Sequence, residues 1–368
     1  MNKKQAFRGI AFMLIAAFIV LFLCDVFEFQ SSYISERYKT FCSLPEDTVD
    51  AVYIGSSAVD RYWMPSKAFE ERGMTVYPLS SDGLPVWLVK NMIVEAYKHQ
   101  NPRLVIIDIR SFTFDQSLEP DIADTRARRI IDTLDFFSGN RQDAIRRTLD
   151  VMTQFDPTIS KHDPSYFLSV IRYHGKWADG TLKLEDITDP SSDYLGFYMI
   201  QESSVSTISM PETSFTDARL KLDRYSEYYL HELLDYLRAN DIDALFVDAV
   251  RAVTAEEAAK CNTVFDILSD AGYNYVNFND AQARDMYEFD YEKDFYERGH
   301  TNYYGALKYT DYFSHYLSEH YDLPDRRDDE RCADWYGVTE VIAAQIAEWE
   351  KSAGEQNNEA SDTSASSI

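Results

Sequence analysis

The chain reads as an α/β protein with one parallel, five-stranded sheet covered by helices on both faces, preceded by an apolar N-terminal helix. Three observations predict this. Five short, largely apolar runs have the length and composition of buried strands. Amphipathic helical stretches separate most of them, and such alternation builds parallel sheets. An uncharged run from Gly9 to Cys24 follows Lys3, Lys4 and Arg8.

That run sets the N-terminal organisation. Its sixteen residues make about 24 Å of helix at ~1.5 Å per residue, slightly short of a usual span, with Asp25 able to reach the interface. Positive charges before it place residues 1–8 in the cytoplasm, residues 9–27 in the membrane and the body outside. A cleaved signal peptide needs a small-x-small site. Cys24-Asp25-Val26-Phe27-Glu28 offers none, and the residues before Cys24 are too bulky for lipoprotein processing. Residues 28–47 read as a stalk.

The body spans residues 48–325. Its strands are Val49 to Ile54, Met74 to Leu79, Leu104 to Ile109, Ala244 to Val250 and Tyr275 to Phe278. Its helices are Pro85 to His99, which opens on a first-turn proline, then Tyr225 to Asn240, Ala255 to Asp270 and Tyr304 to His320. The last presents Ala306, Tyr309, Phe313 and Leu317 on one face. From about 111 to 222 the alternation breaks. Polar helical sequence gives way to loops marked by Asp156-Pro157, Asp163-Pro164 and Asp189-Pro190, an insertion expected over one edge or over the site. Within it, Tyr173-His174-Gly175-Lys176-Trp177 reads as packing or as the lining of a carbohydrate cleft. A helical extension (326–351) and a Ser/Asn-rich tail expected to be disordered (352–368) complete the chain.

Composition excludes several classes. A formal net charge of −26 argues against nucleic acid, which needs clustered Lys and Arg, and against electrostatic docking of the body on anionic lipid. The membrane is met through the N-terminal helix. Cys24, Cys42, Cys261 and Cys332 form neither a disulfide scaffold nor a zinc pattern. His99, His162, His174, His231, His315 and His320 lack metal spacing. No dinucleotide, P-loop or HExxH motif occurs, so no cofactor or metal is expected.

Chemistry concentrates in three segments. Gly55-Ser56-Ser57 closes the first strand, at the carboxyl edge where parallel sheets place their sites. Serine there is either a helix cap or a nucleophile. Glu297-Arg298-Gly299-His300 sets a carboxylate three residues before a histidine, able to hold Nδ1–H and leave Nε2 for the serine. Asp294 is a rival orienter, and Asn302 follows. Ser80-Ser81-Asp82-Gly83 closes the second strand, where the Gly83 N–H is a candidate oxyanion donor.

These segments resemble the SGNH (GDSL-type) hydrolase superfamily. Gly55-Ser56-Ser57 matches its Gly-Asp-Ser block with Ser57 as nucleophile. Gly83 matches the glycine block, and Glu297-x-x-His300 matches Asp-x-x-His with glutamate for aspartate. With the anchor and the His300-x-Asn302-x-x-Gly305 ending, the chain looks most like the branch of membrane-linked surface-polymer acyltransferases, teichoic acid D-alanylation among them. The resemblance covers residues 48–110 and 240–320. It implies a flavodoxin-like, three-layer αβα fold and a Ser57–His300–Glu297 triad with Gly83 at the oxyanion. It also implies an acylated surface polymer as substrate and a polytopic, acyl-exporting membrane partner. One block departs: the superfamily's Gly-x-Asn-Asp is here Ile107-Asp108-Ile109-Arg110-Ser111, without the oxyanion asparagine. Arg110 then holds a substrate group or pairs with a carboxylate, and Ser56, Asn302 and Asp294 line the substrate side. A non-catalytic binding or scaffold protein of an envelope complex is the alternative.

Overall fold

The computed structural model describes residues 2–27, 32–116, 119–180, 194–209, 214–280 and 287–365. All five apolar runs form strands: β1 (Ala51–Gly55), β2 (Val76–Ser80), β3 (Leu104–Asp108), β4 (Ala244–Asp248) and β5 (Asn274–Asn277). They pair in parallel in the order β2-β1-β3-β4-β5, which is the flavodoxin-like order. A short antiparallel ribbon, β6 (Phe295–Glu297) with β7 (His300–Thr301), stands apart from the sheet.

Strand periodicity divides the core. Val52, Ile54, Val105, Ile107 and Phe246 point to one face of the sheet, while Ala51, Tyr53, Ile106, Leu245 and Val247 point to the other, as alternation of period two requires. In chain order the helices are α1 (Lys3–Val26), α2 (Ser32–Ser43), α3 (Ser57–Tyr62), α4 (Pro65–Arg72), α5 (Val89–His99), α6 (Pro120–Thr133), α7 (Gly139–Phe155), α8 (Ser169–Tyr173), α9 (Lys176–Asp179), α10 (Gln201–Val205), α11 (Arg224–Ala239), α12 (Ala255–Ala271), α13 (Tyr303–His320) and α14 (Val338–Ala365). The expected face of α13 is the buried one: Ala306, Tyr309, Phe313 and Leu317 are all sealed from solvent.

Helix α1 is long and apolar enough to cross a membrane, with mean hydropathy 2.6 over its best window. The expected stalk is not a free linker. Most of it is α2, whose Ile34, Arg37 and Phe41 share one face and are buried. Arg37 is held by Asp60 at 2.9 Å and by the carbonyls of Ser80 and Gly196, each at 2.9 Å.

The insertion is likewise more than a cover. Ala127, Ile130 and Ile131 of α6 and Ala144, Ile145 and Leu149 of α7 belong to the larger core cluster. Asp163 caps the turn after its own Asp-Pro step, accepting the Ser165 N–H at 2.9 Å, while Asp189-Pro190 lies outside the described residues. Trp177 does not pack; it is 77% exposed. The extension beyond 325 docks through Cys332, Trp335, Ile342 and Ile346. The backbone of α14 continues to Ala365, through much of the stretch expected to be disordered; its Ala, Glu and Gln content favours helix. The four cysteines stay free.

Gly55 is a fixed point of the fold, because the end of β1 runs hard against β3. A Cβ there would sit 2.6 Å from Asp108 Cβ and 2.7 Å from Val59 Cγ2. Gly55→Ala should therefore cost about 1–3 kcal/mol of stability through overpacking, read as a lower urea midpoint at unchanged slope.

Candidate active site

The site lies at the carboxyl edge of the sheet. β1 stops at Gly55, Ser56 takes an extended cap conformation (φ −83°, ψ −167°), and Ser57 opens α3. Its partner arrives from the other end of the chain. In the β6–β7 ribbon, Glu297 and His300 are directly opposed across a two-residue turn, so a spacing of three brings carboxylate and imidazole together. Tyr62 Oη and Arg110 Nη1 both donate to the carbonyl of Gly299, at 3.0 and 2.7 Å. Arg298 ties the other side of the turn to the carbonyl of Ala252 at 3.1 Å. A side chain at position 299 would fall on the Arg110 guanidinium, so the clamp needs glycine there.

Three of the expected residues meet as a chain of contacts. Ser57 Oγ lies 2.7 Å from Nε2 of His300, and Nδ1 of His300 contacts Oε1 of Glu297. An ionised carboxylate only accepts, which assigns the proton to Nδ1 and the lone pair to Nε2. Tyr296 stacks on the imidazole at 5.7 Å and 12°. Such an arrangement can take a hydroxyl proton and return it.

The other expected residues have different roles. Asp294 is buried in an ion pair with Lys308 at 2.6 Å and accepts the Asp290 N–H at 2.7 Å; it does not touch His300. Asn302 caps α13 through the Gly305 N–H at 3.1 Å and donates to the carbonyl of Lys293 at 2.6 Å. Both are structural, because loop polar groups next to a helix start are used up satisfying backbone. Ser56 is 2% exposed, and its hydroxyl is enclosed rather than presented to a ligand. Arg110 donates to the backbone carbonyl of Gly299. Gly83 has φ +60° and packs under Arg126. It lines a separate cavity of about 240 Å³ with Trp87 and Phe114, and among the described residues no hydrogen bond links it to Ser57 or His300.

Sequence reasoning missed Arg61. It lies one helical turn beyond Ser57, and its Nη1 is 3.0 Å from Nε2 of His300. Its guanidinium also faces the Tyr198 ring at 5.0 Å and Asp82 at 3.8 Å. The signal available was the i, i+4 spacing from Ser57, which puts both on one face of α3. Serine O–H and arginine N–H thus converge on one lone pair. Burial pushes the imidazole down to about 4, the Arg61 and Arg110 charges push the same way, and the Glu297 hydrogen bond opposes them. Hydrogen bonding to His300 in turn lowers the Glu297 carboxyl.

Comparison of the sequence with protein-family models returns no match, and comparison with curated proteins returns none either.

The depressed imidazole has a definite sign in pH experiments. Between 6.5, its ordinary value, and about 4, folded His300 stays neutral while an unfolded chain takes up a proton. Its contribution to stability is full above 6.5 and is lost as pH falls toward the folded value. Arg61→Met removes one of the causes, so the His300 midpoint should rise toward the ordinary value. Titration of ¹³C-histidine-labelled protein by NMR reads this directly; an unmoved midpoint would contradict the assigned cause.

Proposed function

We propose that the chain is a serine O-acyltransferase or esterase, anchored by α1 with its body outside the cytoplasm, acting on an acylated cell-surface polymer. The single observation that carries this reading is the contact between Ser57 Oγ and Nε2 of His300 at 2.7 Å, with Glu297 on the opposite ring nitrogen. Around it, the sheet edge, the clamped ribbon and the basic residues before α1 support the same reading.

In this mechanism Ser57 Oγ attacks an ester carbonyl while its proton passes to Nε2. The backbone N–H at the start of α3 faces the developing oxyanion. Collapse expels the alcohol, which takes the proton from Nε2, and leaves an acyl group on Ser57. An acceptor hydroxyl, from a glycan, a teichoic acid or water, then gives its proton to Nε2 and attacks the ester. Ser57 departs with that proton. Glu297 holds the imidazole and balances its transient charge. A polytopic membrane protein that exports acyl groups is the donor partner this scheme calls for.

One observation favours a second reading. Arg61 shares the lone pair of Nε2, as suits a non-catalytic binding module on the same fold, in which the serine and imidazole are only ligand contacts.

A fluorophosphonate probe separates the two. Labelling of the wild type that disappears in Ser57→Ala supports the enzyme. His300→Ala should then slow ester hydrolysis by about 10²–10⁴-fold, the usual contribution of a general base. Absence of labelling in the folded wild type favours the binding module.

A further inference from the structure

The anchor and the insertion meet at a definite depth. Helix α1 is bare along most of its length, with Phe12, Leu14 and Phe18 each at least 67% exposed. Only its end is covered: Cys24 and Phe27 are 4% and 5% exposed, and Ser169 Oγ of α8 donates to the Cys24 carbonyl at 2.6 Å. Leu21, one turn earlier, faces a cavity of about 320 Å³ that it shares with Phe136 and Phe137 from the α6–α7 corner. Leu21 lies about 4.5 Å inside Cys24 along the helix axis, at ~1.5 Å per residue. The body therefore meets the chain within the uncharged run, at Leu21 and Cys24, as well as just beyond it at Phe27.

The surface around that junction is apolar. Phe137 is 74% exposed, Trp177 77%, Phe167 45% and Ile171 43%. Ile171 and Trp177 lie on the α8–α9 arm that grips the end of α1, and Phe167 stands just before it. Arg172 on the same arm is 56% exposed, and Lys176 lies over the Tyr173 ring at 5.0 Å. Exposed aromatic rings mixed with long cationic side chains suit the boundary between acyl chains and headgroups. The run from Gly9 to Cys24 gives about 24 Å of helix against a hydrocarbon core of ~30 Å, so apolar surface beside its end fills a layer that α1 alone leaves short.

We propose that the α6–α7 corner and the α8–α9 arm form a membrane-docking surface. In it Phe137, Phe167, Ile171 and Trp177 enter the interface of the leaflet from which α1 emerges. The occupant is lipid, because α8 is bonded to the end of the exposed α1 and Phe137 lines the cavity that Leu21 faces, which holds both elements beside that helix. Docking is driven by apolar burial and aromatic anchoring rather than by charge, in keeping with a body whose net charge repels anionic lipid. The inference rests on α1 crossing the bilayer and is independent of the chemistry at Ser57.

The test uses the full chain in phosphatidylcholine vesicles with acyl chains brominated near the headgroup. Trp63, Trp87 and Trp335 are at most 1% exposed and Trp349 is partly buried; all four are common to both proteins, so the difference between wild type and Trp177→Tyr isolates the emission of Trp177. The expected result is a blue-shifted component quenched by bromine and protected from aqueous iodide. Phe137→Trp in the Trp177→Tyr background should regain such a component. Iodide-accessible emission indifferent to bromine, in protein that resists carbonate extraction, would overturn the docking surface and leave the patch to a protein partner. Extraction by carbonate would remove the anchor on which the proposal stands.

Discussion

The hydrogen bond between Ser57 and His300 joins residues 243 positions apart, and much of the architecture exists to hold its two ends still. Ser57 is set by a strand that runs into the crowded contact of Gly55 with Asp108. His300 is set by a ribbon whose turn is gripped at consecutive residues, Arg298 through Ala252 and Gly299 through Tyr62 and Arg110. Neither end depends on a flexible side chain alone. The backbone carbonyl beside the imidazole is fixed by two donors, so the turn that carries His300 can move little without breaking both. Arg110, at the end of β3, thereby works on the imidazole loop as a structural clamp.

Buried charge accompanies this rigidity. Asp60 is sealed from solvent beside Arg37, and burial pushes its carboxyl up to about 6 despite that partner and Arg61. Asp108, capped by the Arg110 N–H at 3.0 Å, is likewise raised to about 6 by burial, with the Asp248 charge adding to it. Asp248 itself pairs with Arg251. Such pairs are weak sources of net stability, since desolvation offsets attraction, but losing one partner costs about 3–5 kcal/mol. Their effect is to penalise any other arrangement of the loops after β1, β3 and β4. The same low-dielectric setting depresses His300, first through the cost of burying its charge and then through the nearby Arg61 and Arg110.

The sheet was legible because burial on both faces forces nearly continuous aliphatic runs, as in Leu104-Val105-Ile106-Ile107. The contact of Glu297 with His300 was legible because a hairpin turns a spacing of three into a cross-strand pair. Asp294 and Asn302 misled for a physical reason: a carboxylate and an amide near a histidine look the same in sequence whether they face a substrate or a helix end. Residues 28–47 misled through their polarity, since the face of α2 is carried by only Ile34, Arg37 and Phe41, and one of these is charged. The spacing of Arg61 from Ser57 sets the two on one helix face, but its proximity to Nε2 depends on where the ribbon lands. Trp177 reads as core in any composition-based argument; only its exposure assigns it elsewhere.

The packing of α2 changes how the site relates to the N-terminal helix. A loose stalk would let the sheet edge sample many positions relative to the chain before it. Instead, Arg37 fastens α2 to Asp60, to the end of β2 and to Gly196, and Asp60 lies three residues after Ser57 on the same helix. The α8 hydroxyl of Ser169 meanwhile grips the end of α1 at Cys24. Two independent contacts therefore fasten the N-terminal helices to the body, one from the insertion to α1 and one from α2 beside Ser57. The second is the more demanding, because loss of Arg37 would leave the sealed Asp60 carboxylate without its ion-pair partner, one helical turn from Ser57.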